Sequence, residues 1–323
     1  MIKDFLKKVG IVLLFNMVCV PFFVFPLHAQ AGEKLIIFHA GSLSIPFREM
    51  VKAFNRHYSG VEVSREAAGS RTSARKISDL GRLGDIVASA DYTVIENLLI
   101  PKYASWNISF ATNEMAIMYR PNSKYAKEIN GQNWYRILLR KGVEYGHSDP
   151  NSDPCGYRSQ LVWQLAEKYY KVPGLYAKLR SGRPLRNVRP KETDLIALLE
   201  AGELDYLFIY KSVSMQHNMP FVSLPVNINL ASSEYARFYK QAGIRITGKT
   251  PGSFIMKNGK PMVYGITIAK NAPHRKRAVQ FISFLLGPEG HDIMRRNGQE
   301  PLHVAKATGD VTQLPAELRP FVE

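Results

Sequence analysis

An apolar strand, a glycine-serine corner and an amphipathic helix follow one another twice near the start of this chain. In LIIFHAGSLS (35–44) the run LIIFHA reads as a buried strand, and Phe47, Met50, Val51 and Phe54 then recur at helical spacing. In VEVSREAAGSRTSARKISDL (61–80) an alternating strand ends at Gly69-Ser70 and a helix can begin at once. A third strand, DIVASAD (85–91), ends in Ala and Asp. Strands alternating with helices predict an α/β fold with mixed, mostly parallel sheets flanked by helices. Such open sheets take ligands beyond the carboxyl ends of their strands, where these corners fall.

With 323 residues the chain is long enough for two lobes. ISFATNEMAIMY (108–119) is long, apolar and broken only by Asn113-Glu114, which suits a segment crossing from one lobe to the other. Beyond it a helix is expected after Asp153, with Leu161, Val162, Leu165 and Tyr169 on one face. VRPKETDLIALLEAG carries a second buried stripe at Leu195, Leu198 and Leu199, and DYLFIY (205–210) is the next strand. The chain then returns through the strand PMVYGITIAK (261–270), and HRKRAVQFISFLLGPEGHDIMRRNG predicts one long amphipathic helix. Lobe I is expected to hold residues 33–115 and 223–323, lobe II residues 116–222, with a cleft between them.

Residues 1–30 read as a secretory signal peptide: a basic start, an apolar stretch and a small-residue end at Ala29 and Ala31. Removal of that leader would take Cys19 with it and leave Cys155 alone, so no internal disulfide is expected. The formal charge is +16, and the leader accounts for only two of those charges through Lys3, Lys7 and Lys8 against Asp4. The basic residues are scattered and no zinc-ligand spacing or basic helix run accompanies them, so nucleic acid is not the expected partner. In a periplasmic protein the excess serves encounter with small anions.

At AGSLS (40–44) and AGSRT (68–72) backbone amides and a hydroxyl converge before a helix dipole, which makes a cradle for an anion. Ser42 and Ser70 could equally be ordinary helix caps. SDPNSDPCGYRSQL (148–161) complicates this picture, because Asp153 and Pro154 open a helix at a point where an anion should go. Asp153 could be an N-cap ahead of proline, and Glu192 a first-turn acid beside a helix dipole. Tyr210 could simply end a core strand, and Arg71 and Arg158 could be surface or interlobe charges.

In order along the chain, HAGSL, EAAGSR, DPNSDPCGYRS, VRPKETDL and FIYKSVSMQH resemble the archaeal type of tungstate/molybdate-binding protein of ABC transporters, over residues 35–296. The resemblance implies a two-lobed periplasmic binding protein of the second type. It would be a monomer without cofactor or catalysis that passes its cargo to a membrane permease and its ATPase. Residue by residue it implies hydroxyl and amide donors at Ser42 and Ser70, carboxylate ligands to the metal at Asp153 and Glu192, a phenol at Tyr210, and the amides of Cys155 and Gly156. One departure is a shorter stretch between Lys171 and Arg189, which leaves the shape of the second lobe open.

The resemblance also implies why acids would stand in an oxyanion site. Two like charges about 4 Å apart repel by roughly 4 kcal/mol at an effective dielectric near 20. Around an electron-poor tungsten or molybdenum centre, a carboxylate oxygen can instead bond to the metal while the oxo groups take the N–H and O–H donors. Sulfate and phosphate offer no such bond, so the acids would reject them. Two other functions fit parts of the pattern. Asp153, Glu192, Tyr210 and His39 could hold ferric iron directly, and Ser42 with His39 could serve an exported serine hydrolase. His39 and Ser42 are three positions apart at a strand end, which aims them at opposite faces, and no G-x-S-x-G elbow is present.

Overall fold

The structure is a computed structural model that describes residues 33–323. The expected leader and its cleavage point lie outside the described residues. Two sheets carry the fold. The first is six-stranded, in the order Glu300–Gly309, Trp106–Thr112, Val263–Ile268, Ile86–Ser89, Glu33–Ala40, Val61–Ala68. The second is five-stranded, in the order Val188–Arg189, Tyr145–Ser148, Tyr206–Tyr210, Met115–Tyr119, Phe221–Ser223. Both corners behave as expected: Glu33–Ala40 runs through Gly41–Leu43 into the helix Ser44–His57, and Val61–Ala68 through Gly69 into the helix Ser70–Ser78.

Two expectations need correction. Parallel pairing is confined to part of each sheet. Glu33–Ala40 is parallel to both its neighbours, and Tyr145–Ser148 to both of its own. The remaining pairings are antiparallel. The reason is the crossing: a chain that leaves one sheet for the other re-enters from the opposite end, and so runs against the strands already there. The expected long C-terminal helix is also two helices, Arg275–Leu286 and Pro288–Arg296. Pro288 has no amide to continue the ladder and its ring collides with the preceding turn.

Trp106–Thr112 of the first sheet passes through Asn113 and Glu114 directly into Met115–Tyr119 of the second, as the apolar run predicted. A separate hairpin, Gly243–Thr247 with Phe254–Asn258, bonds to both sides. The Arg71 guanidinium donates to the Thr247 carbonyl at 2.5 Å, and the Thr247 amide donates to Oδ1 of Asn151 at 2.9 Å. The core around both sheets is apolar and tightly closed, with Trp106, Trp134 and Trp163 fully buried.

Candidate functional site

Each strand end that faces the middle of the molecule delivers a polar residue there. Ser42 follows Glu33–Ala40, Ser70 follows Val61–Ala68, Asp153 follows Tyr145–Ser148, Glu192 follows Val188–Arg189, and Tyr210 is the last residue of Tyr206–Tyr210. All five are buried, none more than 1 % exposed. Burial of so many polar groups is costly unless each is bonded, so their partners decide what the site can do.

The capping explanation fails for both serines. The helix caps beside them are Leu43 and Gly69, and neither makes a side-chain cap bond. The Ser42 hydroxyl oxygen instead accepts from the Tyr264 hydroxyl at 2.9 Å, and the Ser70 hydroxyl oxygen accepts from the Ala90 amide at 3.0 Å. The Tyr210 hydroxyl follows the same rule and accepts from Nη1 of Arg158 at 3.0 Å. A hydroxyl whose oxygen is already taken by a donor keeps its own hydrogen to give. Three hydroxyls are therefore set as donors.

The acids are set the other way. Asp153 does cap its helix, Pro154–Tyr169: Oδ1 accepts from the Cys155 amide at 3.2 Å, while Oδ2 accepts from the Glu192 amide at 3.1 Å. The Cys155 and Gly156 amides, expected to meet a ligand, both bond to Asp153 here. Cys155 holds Asp153, and the Gly156 amide donates to the Asp153 carbonyl at 3.1 Å, because the acid closes the first turn of its own helix. Glu192 is not a first-turn acid, since the next helix, Asp194–Ala201, has Thr193 as its cap. Among the described residues neither of its carboxyl oxygens has a hydrogen-bond partner. Burial, and then the neighbouring Asp153 charge, push the Glu192 carboxyl well above the usual carboxylate range. Burial raises Asp153 as well, against the pull of the polar groups beside it, the Glu192 side chain first, then Ser148 and the two amides bonded to it.

The two lobes meet over these groups. A Cβ on Gly41 would fall 2.8 Å from both Glu192 carboxyl oxygens, so a side chain at the first corner would displace that acid. At the second corner the Arg71 and Thr72 amides donate to the Ser152 carbonyl at 3.1 and 3.3 Å, and a Cβ on Gly69 would strike that same oxygen. Gly69→Ala is therefore expected to hold the lobes apart. Ligand affinity should fall about tenfold or more while the unliganded melting temperature stays within a few degrees, because overpacking of about 1–3 kcal/mol acts on the closed form alone. Calorimetric titration beside a thermal melt measures both.

His39 does not join the site. Its Nδ1 lies 2.8 Å from the Ala40 carbonyl oxygen, its ring packs against Phe47, and burial lowers its pKa to about 4. Ser42 is bonded to Tyr264 rather than to His39, so the hydrolase pairing is not formed. Among the described residues no group of three or more His, Cys, Asp or Glu could hold a metal ion.

Residues 35–300 match the family described as bacterial extracellular solute-binding proteins. The chain belongs to that family. A solute-binding protein of Petrotoga mobilis is 59% identical over 290 residues, 90% of each chain. The molybdate/tungstate-binding protein WtpA of Pyrococcus abyssi is 44% identical over 324 residues, 91% of each chain. Among solved structures, the periplasmic molybdate-binding protein of Azotobacter vinelandii aligns with a TM-score of 0.60 at 17% identity, covering 83% of this chain and 98% of that one. The sulfate-binding protein SubI of Mycobacterium tuberculosis aligns with a TM-score of 0.57 at 14% identity, covering 84% and 88%. The fold is that of a type II periplasmic binding protein.

Four functional positions escaped the sequence reading. Tyr264 and Asn113 form a relay in which Nδ2 of Asn113 donates to Tyr264 at 2.9 Å and Tyr264 donates to Ser42. Gln299 donates to the Ser42 carbonyl at 2.9 Å. Gly41 was read as a corner rather than as the cover of Glu192. Tyr264 lies in a segment read only as a strand, and Gln299 stands outside any motif.

Proposed function

We propose that this solute-binding protein captures tungstate or molybdate outside the cytoplasmic membrane and presents it, between closed lobes, to an ABC permease driven by its ATPase. The unbonded, buried carboxylate of Glu192 carries this reading. A sulfate or phosphate there would be repelled by the ionised acids and gain no bond from them, whereas a metal centre able to accept further oxygen ligands turns both acids into bonds. Asp153 and Glu192 would ligate the metal, and Ser42, Ser70 and Tyr210 would donate to its oxo groups. Cys155 would serve through its amide, which steadies Asp153. The names of the Pyrococcus abyssi relative and of a Thermococcus kodakarensis relative at 42% identity support the same cargo.

Lobe I would comprise residues 33–115 and 223–323, and lobe II residues 116–222, in a monomeric protein that performs no chemistry on its cargo. The leader would place it in the periplasm. Calorimetry of the chain without residues 1–30 against tungstate, molybdate, sulfate, phosphate and ferric citrate tests the reading. Tungstate and molybdate should bind at least a hundredfold more tightly than the others. Sulfate binding as tightly as tungstate would refute it.

A further inference from the structure

Arg158 is buried in the first turns of the helix Pro154–Tyr169, only 3 % exposed. Its Nη1 donates twice, to the Tyr210 hydroxyl at 3.0 Å and to the Ala90 carbonyl at 2.8 Å. These two partners belong to different sheets. Tyr210 ends a strand of the five-stranded sheet, whereas Ala90 follows the strand Ile86–Ser89 of the six-stranded one. Ala90 is also the residue whose amide donates to Ser70. One guanidinium nitrogen therefore joins, through a single residue, the hydroxyl donors of both sides of the site.

The neighbouring side chain makes a parallel reach. The Tyr157 hydroxyl donates to Oδ2 of Asp91 at 2.5 Å, and Nζ of Lys257, from the separate hairpin, lies 3.3 Å from the same oxygen. The guanidinium is flanked by the Tyr157 and Tyr210 rings, 5.9 and 5.7 Å from their centres, which restricts where it can point. Arginine suits this place because its charge persists when buried and its donors stand in a fixed plane. The site gathers two acids, and an oxyanion would add more negative charge. A buried cation that touches no acid directly offsets that charge without occupying their oxygens.

We infer that Arg158 is a positioning residue that couples cargo to closure: it turns the Tyr210 hydroxyl hydrogen towards the cargo and fastens the Ala90 carbonyl across the cleft. This rests on the tungstate or molybdate reading proposed above. The Ala90 bond can form only when the lobes meet, whereas the Tyr210 bond lies within one lobe and persists when they part. Loss of Arg158 should therefore speed release of cargo and leave its arrival almost unchanged, since affinity differences between related complexes lie mainly in dissociation.

Stopped-flow measurement of tungstate binding to the wild type and to Arg158→Gln, Arg158→Lys, Tyr210→Phe and the Arg158→Gln/Tyr210→Phe double variant tests this. Arg158→Gln should raise the dissociation rate about tenfold or more with the association rate within about twofold. The double variant should release cargo hardly faster than Arg158→Gln alone, because the two side chains act as one unit. Arg158→Lys keeps the charge but not the planar fork, and should resemble Arg158→Gln; it also stands in should the glutamine variant fail to fold. Wild-type rate constants in either Arg158 variant, or fully additive effects with Tyr210→Phe, would overturn the inference. A wild type that binds no tungstate refutes the cargo assignment instead.

Discussion

Asp153→Ala and Glu192→Ala are each expected to lower tungstate affinity a hundredfold or more, with the double variant close to no binding. Removing a group that merely supports a metal ligand commonly costs about 10–100-fold, and these changes would remove the ligands themselves. The two substitutions should not be equivalent. Both Asp153 oxygens hold amides, from Cys155 and Glu192, so Asp153→Ala also frees the turn that carries the other acid and uncaps a helix, at about 1 kcal/mol of stability. The Glu192 carboxyl accepts no hydrogen bond among the described residues, so Glu192→Ala should bind poorly and yet melt no lower than the wild type. Calorimetry with paired thermal melts distinguishes this pattern from a general loss of fold. Full affinity in both variants would remove the basis of the metal-ligation proposal.

Glu192→Gln should close the empty protein. In the closed form burial raises both acids, and the neighbouring Asp153 charge raises Glu192 further. A carboxyl whose pKa is higher in the closed form takes up a proton on closing. Closure without cargo is therefore favoured below the ordinary carboxylate range, near pH 4, and is lost as the pH rises towards the raised value. At neutral pH the empty wild type should stay open, held apart by charge that only a cargo can relieve. A neutral amide at position 192 removes one of those charges and should shift the closed-to-open ratio about tenfold or more, ~1.4 kcal/mol, the low end of what an unpaired buried polar group costs. Small-angle scattering at pH 7 should give a smaller radius of gyration for empty Glu192→Gln than for empty wild type, and the wild type should itself contract on acidification. Equal radii throughout would mean that the acids do not govern closure.

Much of the fold was legible because it rests on local rules. The glycine-serine corners at 41–42 and 69–70, the crossing at Asn113-Glu114 and the Asp153-Pro154 helix start were each readable from a few adjacent residues, and the structure forms each of them. The misreadings had local as well as distant causes. The Cys155 and Gly156 amides appeared free to meet a ligand, but the side chain and carbonyl of Asp153 take them. The parallel share of the sheets was overestimated because strand alternation does not reveal from which end a returning segment enters. Pro288 was a local signal and was available, yet the apolar stripe on both sides of it outweighed it in the reading.

Among the site residues the division is the same. Composition and pattern determined by themselves that the chain alternates strands and helices and that its corners carry small hydroxyl residues at strand ends; that two acids stand among them was implied only by the family resemblance. The first two are properties of segments a few residues long, governed by backbone sterics and by hydropathy. Only the tertiary structure decided which hydroxyls keep a hydrogen to give, that Glu192 is buried without a partner, and that Arg158 spans the two sheets. Each of those depends on contacts between residues dozens to hundreds of positions apart, such as Ser42 with Tyr264 and Ala90 with Arg158. Periodicity places a side chain on a face, but a hydrogen bond is made or missed within tenths of an ångström, and only the packed chain settles that distance.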